Sequence, residues 1–254
     1  MSLIAHYKMN DNLATDVIID ETGNHNGAVK DVTGTATSTF HSVAGKINKA
    51  QDFDGTDDYI EVADHADFTP ALIPFSISAW VYMHDASDFV VTSKGVLGVD
   101  GEWVFYIAGD DILRWRQFDE SLGIRRGRKY NSVLTGYENQ WIHLVATADG
   151  GALSSGLRIY LNAIRIDDTD DLTGIFVSVE NLTHAIWIGR YDTSYANGLI
   201  DNVVFFSKEV TPDEVKRIYN NGHGTEILAE VDSVISPRRS NTSPLGLRAR
   251  YEFP

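Results

Sequence analysis

The chain has 254 residues, a formal net charge of −15 and no cysteine. The lack of cysteine excludes disulfides, thiol chemistry and cysteine-based zinc sites, and the strong negative charge makes nucleic-acid binding by the chain as a whole unfavourable. No apolar run approaches the roughly 20 residues of a membrane helix, so we expect no membrane insertion, and we expect no signal peptide at the start of the sequence.

Short strand-like segments separated by Gly, Asp and Asn turns run through most of the chain. Regular short strands with such turns are typical of an all-β sandwich or barrel. The predicted strands, in chain order, are 3–9, 25–29, 58–62, 75–83, 89–96, 102–109, 112–118, 141–148, 157–166, 184–191 and 199–206.

Alternation of apolar and polar residues in 102–118 predicts a hairpin with a defined register. A three-residue loop pairs Phe105 with Trp115 on one face and Tyr106 with Arg114 on the outward face. A two-residue loop would pair core positions with arginines. The pattern therefore favours the longer loop.

One helix is predicted, at residues 211–222. Thr211 and Glu214 form a capping box, and Pro212 suits the first helical position. Gly222 predicts the C-terminal stop. The fold class is therefore all-β with one short C-terminal helix.

The end of the chain differs in composition from the rest. Residues 231–254 hold four arginines against one Asp and one Glu, which gives this segment a charge of +2. We predict one domain over residues 1–226, followed by an extended C-terminal arm or linker over 227–254. The arm is expected either to pack on its own domain, to dock on a protein neighbour through residues 231–254, or to be a flexible tail.

Several motifs occur in the order of a known family. They are "AHYKMND" (5–11), "DETGNHNG" (20–27), "DFDGTDDYIEV" (52–62), "FSISAWV" (75–81), "NQWIHLVAT" (139–147), "LRIYLN" (157–162), "IWIGR" (186–190) and "GLIDNVVFFSKEVTPDEV" (198–215). The series resembles a laminin-G-like domain of the concanavalin A-like lectin/glucanase superfamily. The resemblance implies a two-sheet antiparallel jelly-roll sandwich in which the first and last strands meet, often at a structural calcium.

The turn at 20–27 is dense in hard oxygen ligands. Asp20 offers a carboxylate and Asn24 a carbonyl oxygen, and Gly27 lets the backbone bend. Calcium takes about six to eight oxygen ligands in irregular geometry. Asp201, a carboxylate inside an apolar strand, supplies a distant ligand if the terminal strands pair. These four residues are the predicted calcium site.

The acidic turns also have plainer interpretations. Asp20 would cap its turn without a metal, and His25 alone is interpreted as a loop residue rather than a zinc ligand. The groups at 54–58 and 167–171 are interpreted as a structural turn and a solvated hairpin loop.

Catalysis is not expected. Glycoside hydrolases of this fold need two carboxyl groups at a fixed separation, and no such pattern of paired Glu and Asp occurs in the strands. We therefore predict a protein that is not an enzyme.

Ligand contacts are expected where aromatic and planar polar side chains share a surface. Arginines there would also suit an anionic glycan. The predicted ligand-binding residues are Tyr106, Arg114, Arg116, Arg190, Tyr191 and Tyr195. The basic run 123–131 has three interpretations: a site for an anionic polysaccharide, a docking point for an acidic neighbour, or a solvated loop.

These observations lead to one preferred function and two alternatives. The preferred function is a non-catalytic, lectin-like carbohydrate-binding or adhesion domain with a structural calcium and a glycan or polysaccharide as partner. The alternatives are a virion or surface-assembly decoration protein that docks through its arm, and an accessory domain of a polysaccharide-active enzyme. The expected location is extracellular, at the cell surface or on a virion.

Overall fold

Two antiparallel sheets packed face to face form the protein in the computed structural model, which describes residues 3–31 and 36–228 except for the side chain of Phe40. Within these residues the strands are, in chain order, β1 (Leu3–Tyr7), β2 (Val17–Ile18), β3 (Gly27–Lys30), β4 (Ser42–Ala44), β5 (Lys49–Asp54), β6 (Tyr59–Val62), β7 (Phe75–Met83), β8 (Val90–Lys94), β9 (Trp103–Ile107), β10 (Leu113–Asp119), β11 (Ile124–Lys129), β12 (Trp141–Ala148), β13 (Leu157–Leu161), β14 (Ile164–Arg165), β15 (Thr169–Asp170), β16 (Ile186–Ile188), β17 (Arg190–Tyr191), β18 (Ser194–Tyr195) and β19 (Asn197–Phe206). The α-helices are α1 (Ser38–His41) and α2 (Pro212–Tyr219).

The predicted all-β jelly-roll sandwich is confirmed. One sheet, called sheet A here, has the order β14-β13-β12-β7-β19-β5-β4, with β1 also paired to β19. The other, sheet B, has the order β15-β11-β10-β9-β8-β16-β6-β3-β2. The core lies between the sheets, because successive side chains of a strand point to opposite faces of the sheet. In β7, Ile77 and Ala79 point into the core, while Ser78 and Trp80 face outward.

The hairpin of β9 and β10 has the predicted register. Phe105 pairs with Trp115 in the core, and Tyr106 pairs with Arg114 on the outer face of sheet B. The Ala108 N–H donates to the Ile112 carbonyl at 3.1 Å, which closes a three-residue loop. The alternation in the sequence was therefore sufficient to fix this register.

Strand β19 lies in the centre of sheet A and joins both ends of the domain. It pairs with β7 and β5, and β1 adds to it with Tyr7 opposite Val203. Its register to β7 shifts between Asp201 and Val204, where Asn202 has a φ of 51°. The pairing of the first and last strands, which the family resemblance implied, is present.

Helix α2 covers the outer face of sheet A. Thr211 and Glu214 form the predicted capping box, and Val215 and Ile218 are buried against the sheet. The predicted stop at Gly222 is wrong, because the helix ends at Tyr219 and Asn220 takes the left-handed conformation with a φ of 48°. Asparagine tolerates that conformation better than most residues.

The predicted C-terminal arm lies outside the described residues except for its first two. Leu228 is buried in the cluster under α2. The boundary between residues 226 and 227, and the arm at 227–254, stay predictions. None of the described helices has the length and apolar character needed to cross a membrane.

Candidate functional site

The outer face of sheet B gathers the six predicted ligand-binding residues into two clusters. Hairpin β17–β18 lies over this face and contacts β8. A hydrogen bond of 2.7 Å from the Ser93 hydroxyl of β8 to the Arg190 carbonyl joins the two. One cluster surrounds Tyr106 and Tyr191, and we call it the tyrosine cluster. The other surrounds Arg190 and Tyr195, and we call it the Arg190 platform.

The tyrosine cluster is largely buried, with Tyr191 partly exposed at its surface. The rings of Tyr106 and Tyr191 lie 5.5 Å apart, and Tyr191 stacks on Phe118 at 6.4 Å. Arg116 donates to the Tyr106 hydroxyl. Tyr106 is only 7% exposed, and burial raises the pKa of Tyr191 to about 12. Tyr106 therefore supports the surface from below rather than meeting a ligand directly.

Internal carboxylates neutralise the arginines of β10. Asp171 accepts from Arg116 at 2.6 Å and from Arg125 at 3.2 Å, and Asp110 binds Arg114 through two bonds of 2.5 Å. Burial works to raise the pKa of Asp171, but the two arginines outweigh it and hold that pKa below its ordinary value. The predicted ligand contacts of Arg114 and Arg116 would therefore compete with strong internal bonds.

The basic run is a strand and not a loop. Residues 124–129 form β11, which pairs with β15 from the acidic group 167–171. Arg128 donates to Asp167 at 3.0 Å and to Asp170 at 2.5 Å. The interpretation of 167–171 as a solvated loop is wrong, because the Asp167 side chain is fully buried in this ion-pair network.

The Arg190 platform is different, because aromatic rings rather than carboxylates hold its guanidinium group. The guanidinium carbon lies 4.0 Å from the ring centroid of Trp187, 4.8 Å from that of Tyr59 and 5.2 Å from that of Tyr195. Its Nε donates to the Asp192 carbonyl at 3.1 Å. Within residues 3–31 and 36–228, Arg190 forms no ion pair with a carboxylate.

Neighbouring groups fix the central tryptophan of the platform. Trp187 Nε1 lies 3.4 Å from Glu61 Oε2, and the Trp187 ring meets His184 edge-on at 4.2 Å. Because Arg190 covers a face of the Trp187 ring, that face is not open for stacking with a sugar. The guanidinium group is therefore the part of the platform that is best placed to meet an anion.

Sequence reasoning missed Tyr59 and Trp187. Each alternates with buried neighbours in its strand, as in "IWI", where Ile186 and Ile188 point into the core. That alternation shows that both rings face outward. It does not show that β6 and β16 are neighbours.

The first predicted calcium ligand, Asp20, is surrounded by hydrogen-bond donors. Its Oδ1 accepts from the N–H groups of His6 at 2.8 Å and Thr22 at 3.0 Å. Its Oδ2 accepts from the Thr22 hydroxyl at 2.5 Å and from the N–H groups of Asn24 at 3.2 Å and His25 at 3.0 Å. This is the turn-capping arrangement, in which amide hydrogens occupy the positions that a cation would take.

The other predicted calcium ligands do not converge on Asp20. Gly27 belongs to β3, where a Cβ atom would lie 2.8 Å from Ile60 Cγ2, so close packing requires the glycine. The Asn24 side chain is exposed and donates to Thr22 at 3.3 Å. Strand β1 pairs with β19 on one side and bridges to Asp20 on the other.

Asp201 has its own environment. It is fully buried, and its Oδ2 accepts from the Ile47 N–H at 2.8 Å. Its Oδ1 has no hydrogen-bond partner in the described part of the chain, and burial raises the pKa of Asp201 to about 8. As arranged, the four predicted residues do not fit one oxygen cage, and calcium stays a prediction.

Comparison with known proteins supports the fold assignment. Domain 4 of AbnA, an extracellular arabinanase from Geobacillus stearothermophilus solved with arabinotriose, superposes with a TM-score of 0.61 at 19% identity, over 85% of this chain and 97% of that one. The receptor-binding domain of botulinum neurotoxin D gives 0.61 at 14% identity, over 87% of this chain and 53% of that one. The binding domain of Paraclostridial Mosquitocidal Protein 1 gives a TM-score of 0.56 at 18% identity, over 84% of this chain and 53% of that one.

Sequence comparison gives the family. No curated protein matches the chain significantly. The laminin-G-like family model of the concanavalin A-like lectin/glucanases superfamily matches residues 54–216, which is more than half of the chain. The chain therefore belongs to the laminin-G-like family of the concanavalin A-like lectin/glucanases superfamily.

Proposed function

We propose that this protein is a non-catalytic carbohydrate-binding domain that binds an anionic glycan at the Arg190 platform. One observation carries the proposal: the Arg190 guanidinium carbon lies 4.0 Å from the Trp187 ring centroid, and the group has no carboxylate partner among the described residues. The other arginines of this face, such as Arg116 and Arg128, are paired with Asp.

The chemistry of the platform favours acidic over neutral sugars. Stacking on aromatic rings fixes the plane of a guanidinium group at little cost in hydration. Its fork of N–H donors then matches the two oxygens of a uronate carboxylate or a sulfate. A neutral sugar would rely on an open aromatic face, which Arg190 covers on Trp187.

The fold and its relatives support a binding role. The superfamily includes lectins as well as glucanases, and the sequence lacks the paired carboxylates that glycoside hydrolysis requires. The similar arabinanase domain was solved with arabinotriose, and the similar toxin domains bind receptors. An extracellular or surface setting, as predicted, is part of this proposal.

The accessory-domain alternative gains support from one comparison. The similar AbnA domain is the fourth domain of an arabinanase. In this alternative the same platform would deliver a linked catalytic domain to its polysaccharide. The virion and surface-assembly alternative depends on the arm, which lies outside the described residues.

Binding to a glycan array tests the proposal, followed by calorimetry with oligogalacturonate, oligoalginate, a sulfated oligosaccharide and arabinotriose. We expect the acidic ligands to bind and Arg190→Ala to weaken them at least tenfold. Arg217→Ala is the matched control, because Arg217 is exposed on α2 over the opposite sheet. Failure of every glycan to bind overturns the proposed function. If only neutral glycans bind, and Arg190→Ala leaves their affinity unchanged, the Arg190 platform is not the binding site.

A further inference from the structure

Two histidines and an aspartate from two loops meet at one end of sheet B. His25 lies in the turn that Asp20 caps, and His65 and Asp67 lie at the 3-10 turn Ala66–Phe68, just after β6. His25 Nε2 and His65 Nδ1 each lie 3.2 Å from Asp67 Oδ2. The two imidazole centroids are 4.8 Å apart.

We propose that His25, His65 and Asp67 bind a divalent transition metal such as zinc. The three side chains each offer a ligand atom, and these atoms lie within 4.8 Å of one another. Zinc sits about 2.0–2.2 Å from imidazole nitrogen and carboxylate oxygen. Around a tetrahedral ion those bond lengths place ligand atoms roughly 3.3 Å apart. The two distances of 3.2 Å to Asp67 match this spacing.

The backbone of His25 is held in place for this role. Its N–H donates to Asp20 Oδ2 at 3.0 Å, and its carbonyl accepts from the Tyr7 hydroxyl at 2.6 Å. The His25 ring meets Phe68 edge-on at 5.0 Å, and its side chain is only 8% exposed. Fixed ligands lose little freedom on metal binding. The turn "DETGNHNG" thus presents His25 to the other two side chains.

The ligand set selects the kind of metal. Imidazole nitrogen suits zinc, nickel and cobalt, whereas calcium takes oxygen ligands. His65 and Asp67 are exposed, so the remaining coordination positions would be open to water or to a ligand from a partner. His65 Nδ1 also accepts from the Asp67 N–H at 3.2 Å. Metal binding therefore replaces this hydrogen bond and the one between His25 Nε2 and Asp67 Oδ2, also 3.2 Å long.

This cluster is separate from the Arg190 platform. Tyr59 of the platform begins β6, whereas His65 follows the other end of that strand. Metal binding should therefore be the same in Arg190→Ala as in the wild type. The proposal thus does not depend on the proposed glycan function.

Calorimetric titration of the chelator-treated, dialysed protein with zinc tests the proposal, together with the visible absorption of added cobalt. We expect one ion per chain, and at least tenfold weaker binding in both His65→Ala and Asp67→Asn. His84→Ala is the control, since His84 is an exposed histidine in another loop. Thermal melts of each variant verify folding, which exposed substitutions should preserve. No binding, or equal affinity in the double variant His65→Ala/Asp67→Asn and the wild type, overturns the proposal.

Discussion

Asp20 Oδ2 accepts the backbone N–H of His25 at 3.0 Å, while its Oδ1 accepts the N–H of His6 in β1. One buried carboxylate therefore fixes both the turn that carries His25 and the strand that pairs with β19. Burial works to raise the pKa of Asp20, but the hydrogen bonds from Thr22, His6 and His25 lower it overall. The charged form of Asp20 is the one that the fold uses.

Asp20→Asn should therefore weaken both stability and metal binding. The amide keeps the size of the side chain but turns an NH₂ group toward backbone donors, and hydrogen bonds to charged groups contribute about 1.5–3 kcal/mol each. We expect the free energy of unfolding in urea to fall by about 2–3 kcal/mol and zinc affinity to fall with it. Asp16→Asn, at an exposed position nearby, should change neither. If Asp20→Asn binds zinc as tightly as the wild type does, Asp20 does not contribute to the proposed metal site.

Asp201 should make stability depend on pH. Burial raises its pKa from 3.8 to about 8. Between these values the folded protein keeps a proton that the unfolded chain has released, so this contribution is complete below about pH 4 and is lost as the pH rises through 8. Asp201→Asn cannot titrate. With chelator present, we expect it to exceed the wild type by a few kcal/mol at pH 9 and to match it within about 1 kcal/mol at pH 4. If the free energies of unfolding in urea of Asp201→Asn and the wild type differ by the same amount at every pH, this prediction is wrong.

The calcium prediction has a separate measurement. It expects a higher melting temperature with calcium than with a chelator, and it expects Asp201→Ala to remove the calcium-dependent part. A cation beside the Oδ1 of Asp201, which lacks a partner among the described residues, would stabilise the charged carboxylate. If the melting curves in calcium and in chelator are identical, the prediction of a structural calcium is wrong.

The buried pair of Lys94 and Glu102 should be sensitive to single substitutions. Glu102 accepts from Lys94, from the Thr69 hydroxyl at 2.7 Å and from the Leu182 N–H at 2.8 Å, and both charged side chains are fully buried. Removing one partner of a buried ion pair costs about 3–5 kcal/mol when the other charge is left uncompensated, but here Lys94 also pairs with Asp64 at 2.9 Å. Because Asp64 stays beside Lys94, we expect Glu102→Gln to lose stability near the lower end of this range in urea unfolding.

The double variant Lys94→Met/Glu102→Gln provides the comparison for that pair. It removes both charges, so it should recover part of the lost stability. A double variant as unstable as the sum of the single variants would show that the two groups act independently.

Ala163→Gly should stabilise the hairpin of β13 and β14. Leu161 pairs with Ile164 across a two-residue turn, in which Asn162 and Ala163 have φ values of 49° and 65°. Alanine pays roughly 1–2 kcal/mol for the left-handed conformation, whereas glycine adopts it readily. Part of this gain is offset by lost packing of the methyl group. We expect a net gain of about 0.5–1 kcal/mol in thermal or urea unfolding, and a lower melting temperature would contradict it.

The sequence predicted the hairpin register and the helix cap well because both follow from local patterns. Phe105 and Trp115 could share a core face in only one register, and Thr211 with Glu214 defines a helix start by itself. Asp20 was harder. Its sequence context is rich in oxygen, but whether a carboxylate faces an ion or amide hydrogens depends on backbone orientation.

The parts of the surface sites that sequence reasoning missed depend on strand order. Tyr59 and Trp187 are distant in sequence and meet because β6 and β16 pair. His25 similarly gains His65 only because β3 lies beside β6. Alternation shows which face a residue occupies. It does not show which strand lies next to it.

The pairing of β1 with β19 also sets the order of events in folding. The side chains of His6 and Asn202 hydrogen-bond across a separation of 196 residues. Strands β19 and β1 therefore cannot join sheet A until residues 197–206 have been synthesised, and pairing between strands so distant in sequence slows folding. Until then β7 can pair with β12 on one side only, and its other edge, which β19 covers in the finished sheet, is open to aggregation.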